Sequence, residues 1–120
     1  MVGLPYRNGV RSATAVSDDL IQTVTSTATR ITNYGKTLIN LNSTANKVFI
    51  MEPPIPGVRK QIVQISTSTF VNAVTGPTTT VFMNASSNVQ LGFDTLGELA
   101  ELTGRTTLVW DTLVATATPS

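Results

Sequence analysis

The chain has 120 residues, enough for one domain and too few for two ordinary ones. Apolar residues make up 41% and charged residues 12%, and the net charge is +1, so a core can form but the dense basic patch of a nucleic-acid binder is missing. Cysteine and histidine are both absent, which excludes disulfides, thiolate metal sites, cysteine nucleophiles and the commonest general base.

Residues 1 to 19 read as an extended arm. Gly3, Pro5, Asn8, Gly9 and Ser12 break any period, and Arg7 and Arg11 add positive charge. Such a stretch buries too little apolar surface to order itself. It is either a frayed terminus or an arm that orders on a neighbouring molecule through Leu4, Tyr6 and Val10. No apolar run follows the first charges, so a signal peptide is not expected. No stretch reaches the roughly 18 apolar residues of a membrane span.

Threonine fills about one position in six, and its branched side chain suits a pleated surface better than a helix. From Leu20 the chain reads as short strands. Ile21 to Thr32 alternates threonine with other small or polar residues, as a two-sided edge strand would. Asn33-Tyr34-Gly35 is a turn. Lys36 to Leu41 and Lys47 to Met51 flank Asn42 to Asn46 and are expected to form a hairpin. Glu52 to Gly57 holds three prolines and must be a loop.

Gln61 to Thr67 and Thr69 to Val74 are the next strands, closed by Thr75-Gly76-Pro77. Thr78 to Met83 and Val89 to Phe93 flank a hairpin-length connection. In Asp94 to Leu102, leucines at every third position allow a helical turn, but Gly97 and the short length favour strand-turn-strand. Thr103-Gly104-Arg105 reads as a turn, and Leu108 to Ala115 as the last strand. The expected core is Leu38, Phe49, Ile62, Val63, Ile65, Val81, Leu91, Phe93, Leu102, Leu108 and Trp110.

These elements give about eight strands spaced 8 to 12 residues apart, the pattern of an all-β sandwich, jelly roll or barrel rather than a parallel α/β sheet. The domain organisation is an arm over 1–19, a β-sandwich over 20–116 and a frayed end over 117–120. No fixed-period repeat stands out.

Chemistry finds little footing. A serine or threonine nucleophile needs a base, and no Ser-x-x-Lys pattern offers Lys36, Lys47 or Lys60 for the task. The carboxylate pairs Asp18/Asp19, Glu98/Glu101 and Asp94/Asp111 are more simply a cap or solvated faces than an acid/base couple. No loop carries calcium-ligand spacing, and no glycine-rich loop opens a helix. The reading is a non-enzyme with no cofactor and no metal. Arg59 and Lys60 are either the solvated start of a strand or a contact to a carboxylate on a neighbouring subunit. Glu98 and Glu101 are a wet face or a docking surface. Trp110 reads as core, with a sugar-stacking surface as the alternative.

Charge is unevenly divided. Residues 1 to 60 hold seven basic and three acidic groups, and residues 61 to 120 hold one basic and four acidic groups. Copies of such a molecule can attract head to tail, which sets orientation more than affinity.

The stretch from Lys47 to Ile62, a strand, a proline-glycine loop, Arg59-Lys60 and a second strand, resembles a passage of small tailed-bacteriophage virion proteins. Val89 to Asp94 and Leu99 to Trp110 are similar to their closing hairpin, and the likeness covers about residues 36 to 115. It implies a head decoration (cement) protein on the capsid exterior, made in a host cytoplasm. Its partners would be the major capsid protein and copies of itself, in a trimer, with neither nucleic acid nor membrane. Contact of Leu4, Tyr6, Arg7, Val10 and Arg11 with the shell is inferred from the arm itself and not carried over from the family. A fibre or tail module that binds a receptor or carbohydrate is the competing expectation.

Overall fold

The computed structural model describes residues 20–77 and 89–119. The expectations for the arm, for a strand over Thr78 to Met83 and for Val81 in the core lie outside these residues. Among the described residues there is no helix, and nine strands form two sheets: β1 (Ile21–Val24), β2 (Gly35–Ile39), β3 (Lys47–Ile50), β4 (Arg59–Gln64), β5 (Asn72–Thr75), β6 (Gln90–Phe93), β7 (Leu99–Thr106), β8 (Val109–Ala115) and β9 (Thr118–Pro119). The five-stranded sheet has the order β1-β2-β4-β7-β8, and the four-stranded sheet β3-β5-β6-β9.

The path through the first half is a coil. The chain passes from β2 in one sheet to β3 in the other, back to β4 beside β2, and across again to β5 beside β3. All these pairings are parallel: β1 with β2, β2 with β4, and β3 with β5. Ile31 bridges Met51 in the same sense and supplies the far side of the first turn of the coil. Antiparallel β6, β7, β8 and β9 then close both sheets. The expected hairpin between 36–41 and 47–51 is therefore wrong, because the two segments belong to different sheets. Asn42 to Asn46 carries the chain across the sandwich; Asn42 Oδ1 accepts from the Thr69 N–H and Asn46 Oδ1 from the Val71 N–H.

One apolar core lies between the sheets. Val24, Ile39, Ile62, Leu102 and Trp110 point in from the five-stranded sheet, and Phe49, Val74, Leu91 and Phe93 from the other. Period-two alternation explains the selection: on β4, Lys60, Ile62 and Gln64 face inward while Arg59, Gln61 and Val63 face outward. Leu38 and Val63 are only half-buried for the same reason, and Ile65 is exposed.

The expected turn at Thr103 to Arg105 is also corrected. β7 runs through it to Thr106, with register shifts against β8 after Glu101 and after Gly104. Gly104 is needed there because the proline loop lies against it: a Cβ at Gly104 would collide with the Ile55 carbonyl. The turn falls instead at Thr107-Leu108, which leaves Leu108 46% exposed rather than in the core. At the end of the chain, Thr118–Pro119 pairs with β6 and Ala117 is buried. The stretch expected to fray is thus held through residue 119.

Candidate functional site

The basic pair at the start of β4 divides between the two faces of the sheet. Lys60 points inward and is 1% exposed. Its ammonium donates to Thr37 Oγ1 at 2.5 Å, Thr32 Oγ1 at 2.9 Å and the Tyr34 carbonyl at 3.0 Å. Three acceptors match its three N–H donors. The Thr37 hydroxyl in turn donates to Gln22 Oε1, which also accepts from the Thr32 N–H. The result is a polar column through the inner faces of β1, β2 and β4. Burial lowers the Lys60 pKa from 10.5 to about 7, with the Glu52 carboxylate pulling the other way. Neither the solvated reading nor the subunit-contact reading holds for Lys60: its charge is spent inside its own domain.

Arg59 faces outward beside Glu101, with 3.9 Å between Nη2 and Oε1. Gln61 stands directly opposite Glu101 and donates to its Oε2 at 3.0 Å. Lys36, the register partner of Gln61 on β2, completes the row. These side chains and the Gly35 and Lys60 positions line an open cleft of about 180 Å³. The arrangement can make ionic and hydrogen-bonded contacts to another surface. Lys36 is the member that sequence reasoning passed over; its alternation with inward Thr37 and Ile39 was the available signal.

Glu98 and Glu101 are not brought into one site. Glu98 Oε1 accepts from the Asp94 and Thr95 N–H groups and closes the turn before β7, where Gly97 takes a φ of 92°. Asp94 follows β6 in the four-stranded sheet and Asp111 lies on β8 in the other sheet, where it forms a two-pronged pair with Arg105 across the β7–β8 hairpin. Trp110 is buried core. A second inner polar cluster joins Ser43, Ser68 and Asn72: Ser43 Oγ donates to Asn72 Oδ1, the Asn72 amide to the Leu41 carbonyl, and the Ser43 N–H to Ser68 Oγ. These bonds pin the crossing between the sheets.

Among the described residues, no group of three or more Asp or Glu could hold a metal ion, and no helix is long and apolar enough to cross a membrane. No family model matches the chain, and no curated protein or solved structure matches it at a significant level.

Proposed function

We propose that this protein is an adhesive structural domain, a decoration protein that binds the outside of a tailed-phage capsid and bridges its subunits. One observation carries the adhesive part: the outer face of the five-stranded sheet combines charge and apolar surface on a hydrogen-bonded frame. Lys36, Arg59 and Glu101 lie beside half-buried Leu38, Val63 and Leu99, and Ile21 and Ile65 are exposed. Apolar side chains interleaved with charge on one face suit a reversible contact. The capsid itself, its exterior as the location and the major capsid protein as partner rest on the resemblance of residues 36 to 115. In this reading the arm, with Leu4, Tyr6, Arg7, Val10 and Arg11, provides the contact to the shell. Many modest contacts repeated over a shell give avidity without a large interface per copy.

Two findings bear on the competing readings. Trp110 has no exposed surface, so a sugar-binding module loses its most obvious stacking platform. The Lys60 amine is committed to three internal acceptors, which leaves it poorly placed as a reagent. The test is titration of undecorated tailed-phage heads with purified protein. Saturable binding at a stoichiometry set by the shell's symmetry supports the proposal, and no binding to intact heads rejects it.

A further inference from the structure

The outer face of the five-stranded sheet has an internal order that points to a partner. Two rows of side chains cross it in register. One runs Ile21, Lys36, Gln61, Glu101, and the next runs Thr23, Leu38, Val63, Leu99. In the first row a cation and an anion lie on opposite sides of Gln61. In the second, apolar side chains lie on both sides of Val63. β4 is therefore a line about which the face is antisymmetric in charge and symmetric in apolar character.

A half-turn about an axis parallel to β4 exchanges the two sides of a face and turns it over onto itself. Applied to a second copy, it lays β2 over β7 and β7 over β2. Lys36 then meets Glu101 twice, Leu38 meets Leu99 twice, and Val63 meets Val63. Lys36 has no ion pair within 4.0 Å among the described residues. The same rotation brings β1 over β8, placing exposed Ile21 on the same flank as exposed Leu113; these side chains are 64% and 55% exposed. Arg59 lies on the axis strand and would approach its own counterpart. It is turned toward Glu101 of its own chain, whose carboxylate offsets part of its charge.

We propose that this face docks on the same face of a second copy about a two-fold axis along β4, with Lys36 of each copy against Glu101 of the other. An isologous contact of this kind needs a self-complementary patch, which the two rows provide. Five strands at about 4.8 Å spacing make the face roughly 20 Å wide. With strands roughly 17–20 Å long, that is roughly 350–400 Å² per copy, about half the roughly 800 Å² per partner of a stable interface, so the pairing belongs to the weak, reversible class. The inference deepens the adhesive reading by naming what this face binds, and leaves shell attachment to the arm. It is two-fold, whereas the resemblance to decoration proteins implies a three-fold assembly.

Sedimentation equilibrium of the full chain, without any capsid, tests it. The wild-type protein should show a reversible monomer–dimer equilibrium that weakens with salt. Lys36→Glu and Glu101→Lys should each weaken association by about a hundredfold, because like charges then oppose each other. An equimolar mixture of the two variants should restore pairing, since each changed side chain then faces the opposite charge across the contact. Circular dichroism should show both variants folded; Lys36→Glu is decisive alone if Glu101→Lys is not. A wild-type protein that stays monomeric at millimolar concentration, a trimer indifferent to both changes, or variants that associate as wild type would overturn the proposal. Since no shell is present, failure here leaves the capsid reading standing.

Discussion

The Lys60 ammonium on β4 donates to the Thr37 hydroxyl on β2, inside the sandwich and next to the strand that carries Gln22. Thr37 passes the contact on to Gln22, its register partner on β1. Three parallel strands are thereby joined by side chains as well as by their ladders. A buried ammonium with a full set of acceptors is held in one place, but it still bears the cost of leaving water.

That cost makes stability depend on pH. Lys60 has a pKa of about 7 in the folded protein against 10.5 when exposed. Between these values the unfolded chain binds more protons than the folded one, so stability rises with pH from about 7 towards 10.5. Below pH 7 the group is protonated in both states and contributes no slope. The expected rise is at most roughly 1.4 kcal/mol per pH unit. Urea unfolding of the wild type and of Lys60→Met at several pH values checks it. The variant should lose this rise, and parallel profiles would show that Lys60 does not cause it.

Trp110→Ala should destabilise the fold by about 3–5 kcal/mol, because it empties a large buried site. Trp110→Phe should cost less. The indole Nε1 is buried without a hydrogen-bond partner among the described residues, so its removal forfeits no bond. Thermal unfolding of both variants gives the comparison, and a near-unchanged melting temperature for the alanine variant would contradict the placement of the ring.

Gly104→Ala should cost about 1–3 kcal/mol through overpacking. The new methyl group would meet the Ile55 carbonyl, and the proline loop would have to move off β7. The Gly57 N–H to Gly104 carbonyl bond, at 2.8 Å, would be strained with it. Hydrogen exchange should show faster exchange at Gly57 in the variant. Unchanged protection and unchanged stability would mean that the loop does not depend on this close approach.

Removal of residues 1 to 17 should leave the sandwich folded and weaken attachment to the shell. Circular dichroism checks the first outcome and a binding isotherm on undecorated heads the second. A shortened chain that binds as tightly as the full one would rule out the arm as an anchor.

Strand content was legible because it depends on local chemistry. Threonine enrichment, the alternation from Leu108 to Ala115 and the proline loop all announced themselves, and Phe49, Ile62, Leu91, Phe93, Leu102 and Trp110 are core as expected. Pairing was not legible in the first half. Gly35 lies beside Lys60 and Lys47 beside Asn72, both 25 residues on, but Ile21 lies beside Lys36 only 15 residues on. Unequal turns of the coil leave no period to find, and short polar connections between strands look like hairpins. Gly104 misled for a related reason: a glycine flanked by threonine and arginine reads as a turn, whereas here it makes room for Ile55. In the candidate site, Arg59 and Glu101 are neighbours within one chain, whereas the sequence reading set Arg59 against a carboxylate on another subunit. Lys60 was misplaced because lysine is so seldom buried, and nothing local in the sequence marked Thr32, Thr37 and Gln22 as its partners.

Attachment to a capsid surface is the central claim, and electron cryomicroscopy of undecorated tailed-phage heads incubated with the full-length protein tests it most directly. Added density is expected at symmetry-related positions on the outer shell, each fitting the two-sheet domain. Bare shells at saturating protein, with particles otherwise intact, would contradict it.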